Sequence, residues 1–369
     1  MSLRRRDLLA AAPALTLAGC AKAQSMAPTG SLQRIVDETG VPALAGAVVT
    51  ADGLPFLDAA GLRHMDRPGR VTTGDLWHLG SNTKAMTAAL YARLVEAGEA
   101  RWGAVLPELF PDLTLDPAWS RTTIEQLMSH RAGIADKGII STGWLIAAQQ
   151  ATSPLPEQRT ALAAKALASP PVGTPGTFDY ANLNFVLAGA AIERITKTPW
   201  EVAITERLFK PLGITTAGFG APKGAQPWGH RRLPLGVGLL AMDPTRPADN
   251  PAALGPAGTA HMSLTDYAKF IRLFLTNGGD VLKPESITHL TTPPAGGDYA
   301  LGWGVSGGKA WARGPRLGHE GSNTMWHMMA LVAPGRGVGL ITAANAMMPD
   351  DRNPLGRLSD QLQLRFAPV

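Results

Sequence analysis

Ser81-Asn82-Thr83-Lys84, inside WHLGSNTKAMTAALYARLVEAG, sets a hydroxyl and an amine three residues apart at the head of an apolar, helically periodic run. On a helix these positions share a face, so Lys84 would stand over Ser81. The chemistry that follows is nucleophilic attack by an activated serine. Burial disfavours an ammonium and can lower its pKa from about 10.4 until the amine can take or polarise a serine proton. First-turn amides lack intrahelical partners, so the N–H of Ser81 is free to hold an oxyanion while the helix dipole favours an alkoxide. The same spacing also fits a capped helix start with a solvated lysine, and it recurs at Ser306-Gly307-Gly308-Lys309. There the glycines oppose a helix. Gly304-Val305-Ser306-Gly307-Gly308 matches G-x-S-x-G but lacks the helix that motif needs after its serine, so it reads as a glycine-rich hairpin.

Two further groups can join Ser81. A Pro/Gly loop delivers Tyr180-Ala181-Asn182 just before a long apolar helix. Of four tyrosines, Tyr91 and Tyr267 fall inside expected helices and Tyr299 opens a strand, which leaves Tyr180 on a loop lip. A phenol beside an ammonium should have a lowered pKa and can shuttle a proton. Asn182 can donate to a substrate carbonyl and accept from Lys84. The alternative is an ordinary helix-start Asn with a packed Tyr. His319-Glu320-Gly321-Ser322 closes an expected strand. Gly321 would let a substrate backbone lie along the strand edge. His319 can donate to a substrate carboxylate or to the tyrosine, with Glu320 as the neighbour able to raise its pKa, unless it is a satisfied structural histidine.

These residues need elements to position them. Residues 31–40 read as a short helix stopped by Gly40, and Ala43–Thr50 with Leu54–Ala60 as a hairpin around Ala51-Asp52-Gly53. Helices follow: one capped by Thr122 or Thr123 with Gly133 as its stop, a broad apolar one in NLNFVLAGAAIERITK, one in TPWEVAITERLFKPLG with Pro in its first turn, and a capped one in SLTDYAKFIRLFLTNGG. Residues 221–260, rich in Pro and Gly, read as a largely irregular connection. After about residue 298 the period becomes that of strands, in YALGWGVSG, RLGHEG, TMWHMMALVAP and VGLITAAN, before a closing amphipathic helix. Strands at both ends with helices between them predict an α/β (α+β) architecture. Its antiparallel sheet is built from the N- and C-terminal segments and flanked by helices, with a mainly helical domain inserted. The expected division is 31–90 with 262–369 for the sheet domain and 91–261 for the helical one.

At 369 residues, 45% hydrophobic and 17% charged, the chain is a globular protein with a sizeable core. Its formal charge is +5, of which Arg4, Arg5, Arg6 and Asp7 supply +2, and no other basic run occurs, so a nucleic-acid partner is not indicated. Residues 1–20, MSLRRRDLLAAAPALTLAGC, read as an export segment followed by a small, polar tether at 21–30. Arg5-Arg6-Asp7-Leu8-Leu9 resembles a twin-arginine signal, and Leu17-Ala18-Gly19-Cys20 resembles a lipobox, with Cys20 as the lipidated residue. Cys20 is the single cysteine, which excludes an intrachain disulfide, another cysteine nucleophile and a thiolate-rich metal site. No later stretch reaches 18 apolar residues, so membrane association is expected through the lipid, on the periplasmic side.

In order, S-x-x-K on a helix start, Y-x-N about a hundred residues on, and H-x-G on a strand about 140 further resemble the serine β-lactamase-like superfamily, in its class C β-lactamase, DD-peptidase and esterase branch. TIEQLMSHRAGI, PAGTAHMSLTDYAKFIRLFLTNGG and YALGWGV resemble its members too, and the likeness runs over roughly residues 32–345. The resemblance implies a serine hydrolase in which Ser81 forms an acyl-enzyme with an amide or ester. Lys84 and Tyr180 would manage protons in either order, Asn182 would orient substrate, and the amides of Ser81 and Ser322 would form the oxyanion hole. It implies no metal or organic cofactor and a small-molecule or peptide substrate. One departure stands out. Class C β-lactamases begin the third motif with lysine where this chain has His319, a weaker anchor for a β-lactam carboxylate. That favours a D-amino-acid peptidase or esterase over a β-lactamase, with a non-turnover penicillin-binding sensor as a further reading.

Overall fold

The computed structural model describes residues 31–234 and 237–369. The export segment, Cys20 and the tether lie outside the described residues. The strands in chain order are β1 Ala43–Val49, β2 Phe56–Gly61, β3 Leu76–His78, β4 Gly218–Phe219, β5 Gly229–Arg232, β6 Leu239–Met242, β7 Ala260–Ser263, β8 Gly304–Lys309, β9 Gly314–Ser322, β10 His327–Ala333 and β11 Val338–Ala344. Six form one antiparallel sheet in the order β2-β1-β11-β10-β9-β8. The N-terminal hairpin thus docks on the last strand, with Leu44 opposite Ala344 and Val49 opposite Gly339.

β1 and β11 are buried along their whole length, because helices cover both faces. On one face Ala43, Ala45, Ala47 and Val49 join the large core shared with the Leu264–Leu275 helix and the intervening helices. On the other, Leu44 and Val48 pack in a smaller core with the helices Ser31–Thr39 and Pro354–Phe366. The period-two alternation of β1 therefore divides two cores rather than core from solvent.

The helix Thr83–Glu96 crosses the large core with 11 of its 14 residues buried, as its all-round apolar sequence requires. The division expected between residues 90 and 91 falls inside it. Several local expectations are corrected. Thr123 caps a helix of only five residues, Ile124–Met128, which ends well before Gly133. Pro199 is the residue before the helix Trp200–Ile204 rather than in its first turn, and Thr205–Phe209 continues it with wider, π-type winding. The 221–260 connection contains the β5–β6 hairpin, and β7 begins at its end. The strand expected from Tyr299 starts only at Gly304, with Tyr299 making a single bridge to it.

Candidate active site

Ser81 sits in a one-turn 3-10 helix, Gly80–Asn82, that runs straight into the Thr83–Glu96 helix. No side chain caps either start, so the Ser81 hydroxyl is not consumed as a cap. Lys84, one turn on, is fully buried. Its Nζ lies 3.0 Å from Ser81 Oγ, 2.8 Å from Asn182 Oδ1 and 2.8 Å from the carbonyl of Ala257. Burial lowers its pKa to about 7, opposed only by the more distant charge of Asp136.

These three partners dictate the protonation pattern. The Ala257 carbonyl can only accept. Asn182 presents its oxygen to Lys84 because its Nδ2 donates to the Asp136 carboxylate at 3.1 Å. A neutral amine has two N–H groups for these two acceptors, and its lone pair is then left facing Ser81.

Asn182 opens the long helix Asn182–Thr196, whose N-cap position is Ala181, a residue with no capping side chain. Asp136 serves instead, accepting from the backbone N–H of Asn182 at 3.0 Å and of Leu183 at 2.9 Å. Sequence reasoning missed Asp136. The signal was the uncapped start of a strongly apolar helix, which demands an acceptor from elsewhere.

Tyr180 stands at the lip as expected, with 42% of its surface exposed. Its ring is 4.8 Å from Lys84 Nζ. The phenol is not acidified: burial of the hydroxyl raises its pKa to about 12, partly offset by the Ser81 hydroxyl. Behind it lies His130, a second residue the sequence did not single out. It is buried, its ring is 4.2 Å from that of Tyr180, and its Nδ1 accepts from the N–H of Ala181 at 3.3 Å.

His319 also departs from expectation. Its Nδ1 is 2.7 Å from the carbonyl of Glu320, an obligate acceptor, so Nδ1 carries the proton. Nε2 then accepts from the Tyr299 hydroxyl at 2.9 Å, and the ring centroid is 6.4 Å from that of Tyr180. Burial, followed by the charge of Lys84, pushes His319 down to about 4. The neutral ring therefore has no proton for a substrate carboxylate or for Tyr180. Glu320 points the other way, 3.5 Å from His327 Nε2.

Gly321 serves contact with the nucleophile turn. A Cβ there would lie 2.1 Å from the Leu79 carbonyl oxygen and 2.6 Å from Ser81 N. Gly80, at φ +52°, answers it: a Cβ on Gly80 would lie 2.5 Å from Ser322 N. The two glycines let β9 abut the Ser81 turn, which sets the amides of Ser81 and Ser322 side by side. Ser81, Tyr180, Asn182 and Ser322 line one cleft of about 690 Å³, with Ile146 and Met325 among its apolar walls. Ser306 and Lys309 lie away from it on β8, where Ser306 Oγ reaches only the Arg316 carbonyl, at 3.5 Å.

A model of the Beta-lactamase family matches residues 30–364. The chain belongs to the Beta-lactamase family. This family member is 30% identical, over 82% of its length, to penicillin-binding protein 4 of Amycolatopsis lactamdurans, covering 80% of that protein. It is 25% identical over 85% of its length to the unguisins hydrolase ungD' of Aspergillus campestris, spanning 60% of that chain. Its fold overlays a D-stereospecific amidohydrolase from Streptomyces sp. with a TM-score of 0.69 at 24% identity, covering 92% of this chain and 97% of the other. Mixed α/β architecture with an antiparallel sheet is the fold of this group.

Proposed function

We propose that the chain hydrolyses an amide or ester bond, of a D-amino-acid peptide or a small ester, through an acyl-enzyme on Ser81. The observation that carries this is Lys84, fully buried with no carboxylate of the described residues in contact and with two obligate acceptors beside Ser81 Oγ. Neutral Lys84 takes the Ser81 proton as Oγ adds to the carbonyl. The oxyanion is held by the amides of Ser81 and Ser322. Tyr180, protonated throughout the working pH range, passes a proton to the departing amine or alcohol and is reprotonated from Lys84. Asn182 fixes Lys84 and offers polar contact to substrate. Water then adds to the acyl carbonyl as the same pair takes its proton; the bond from the acyl carbon to Ser81 Oγ breaks, the pair returns that proton to Oγ, and the acid leaves.

His319 supports the amide or ester reading over β-lactamase action, because its Nε2 is an acceptor facing Tyr299 and gives a β-lactam carboxylate no donor. The Arg5-Arg6 pair, Leu17–Cys20 and the single cysteine support export and lipid anchoring at Cys20, with the hydrolase held at the periplasmic face.

Intact mass after exposure to a p-nitrophenyl ester and to benzylpenicillin tests the proposal. A transient acyl adduct with ester turnover, absent in Ser81→Ala, is expected. A penicilloyl adduct that never clears would favour the sensor reading, and turnover that survives Ser81→Ala would overturn the mechanism. For the anchor, wild type is expected in the membrane fraction and Cys20→Ser in the soluble one.

A further inference from the structure

Asp249 lies on the cleft wall, in the connection before β7, yet its carboxylate turns inward and is almost fully covered. It is held from both sides of the nucleophile turn. Gly80 N–H donates to His78 Nδ1 at 3.1 Å, so that nitrogen is unprotonated and His78 Nε2 carries the proton. His78 Nε2 in turn donates to Asp249 Oδ2 at 2.7 Å. The other oxygen, Oδ1, accepts from Asn323 Nδ2 at 2.7 Å and from the Asn250 N–H at 2.7 Å. Asn323 Oδ1 accepts from the N–H groups of Met325 and Trp326, closing the turn after Ser322. The Trp326 ring stacks on His78, 5.6 Å between centroids.

This network reaches one residue before Ser81 and one residue after Ser322. Both turns need holding: Gly80 is at φ +52° and Thr324, which is not a glycine, at φ +72°. We infer that Asp249, through His78 and Asn323, is the positioning residue that keeps the Ser81 and Ser322 amides converged on one point. The inference rests on the acyl-enzyme reading above. An oxyanion site works only if its donors are already aimed, and loss of one such donor costs about 10²–10³ in kcat. Asp249→Asn puts an NH2 against one of the three donors, which forces the His78 tautomer to change and strips Gly80 N–H of its acceptor, or releases Asn323. His78→Asn keeps an acceptor near the Nδ1 position but cannot span to Asp249.

The test uses the full chain and reads kcat and KM on a chromogenic ester together with inhibition by phenylboronic acid, which adds to a serine hydroxyl as a tetrahedral adduct. Asp249→Asn is expected to lower kcat by about 10²-fold with KM changed less than about threefold. Boronate affinity should weaken in step with kcat/KM, and the acid limb of the pH profile should stay at its wild-type position. His78→Asn is expected to show a smaller loss of the same kind. If Asp249→Asn does not fold, the same measurements on His78→Asn and Asn323→Ala decide. Unchanged kcat and boronate affinity would overturn the inference, as would a kcat loss that leaves boronate affinity intact or an effect confined to KM. Should wild type itself neither acylate at Ser81 nor bind the boronate, the acyl-enzyme reading has failed, and not this inference alone.

Discussion

Arg159 and Lys84 are both fully buried, yet among the described residues Arg159 meets two carboxylates and Lys84 meets none. The Arg159 guanidinium bonds Glu193 and Glu201 and donates to the carbonyls of Ala252 and Ala253, each at 3.0 Å. Burial works against its charge, but the two glutamates more than restore it and its pKa rises. Its partners pin the segment that leads to Ala257, whose carbonyl takes Lys84. Lys84, surrounded by neutral acceptors, falls to about 7. One buried cation is locked as a charge to hold helices together, while the other is left able to give up its proton. The difference lies in the partners: paired charge makes structure, and unpaired charge at a cleft makes a titratable group.

Substitutions can break this contrast. The largest expected effect is from Lys84→Arg, which keeps a cation but one that does not deprotonate. Hydrolysis should fall by about 10²–10⁴-fold, as for loss of a general base, with the circular dichroism spectrum preserved. On the other side, Arg159→Met leaves Glu193 and Glu201 unpaired in the core and is expected to cost about 3–5 kcal/mol in a denaturant titration. A triple variant that also replaces both glutamates with leucine should recover much of that loss.

Lys84→Met sharpens the comparison through pH. Because the folded-state pKa of Lys84 is about 7 against an ordinary 10.5, the unfolded chain binds more protons between those values. Wild-type stability therefore gains a rising contribution over that window, which the Met variant lacks. The Tm of Lys84→Met relative to wild type should be highest near pH 7 and decline toward pH 10. The smallest effect is expected from Asp136→Asn. It removes the one charge that raises Lys84, so the acid limb of activity should move to lower pH, and weaker capping of the Asn182 helix should cost about 1 kcal/mol.

Much of the frame was legible because it is local. The Ser81 turn, the first hairpin, the Asn182 helix and the closing strands each carry their own period or stop signals. The family resemblance drawn from S-x-x-K, Y-x-N and H-x-G is matched by the Beta-lactamase family model along the chain. What escaped depends on the third dimension. Asp136 and His130 act on a helix start about fifty residues away, where no local pattern points back to them. The Gly229–Met242 hairpin hid in Pro and Gly that signal only turns. The sequence predicts a Tyr180 acidified by an ammonium, but Lys84, with its pKa lowered to about 7, has lost its charge before a phenol titrates, and burial decides instead. His319 was expected to be a donor until Tyr299 and the Glu320 carbonyl fixed its tautomer.

The pH dependence of single-turnover acylation tests the central claim most directly, with a chromogenic ester mixed rapidly against wild type between pH 5 and 9. Acylation should rise through a single ionisation near pH 7 and then level off, and the acyl group should appear on Ser81 by peptide mass. A rate constant independent of pH across that range, or one still rising in proportion to hydroxide at pH 9 as an ordinary lysine of pKa 10.5 would give, would contradict a neutral Lys84 as the base.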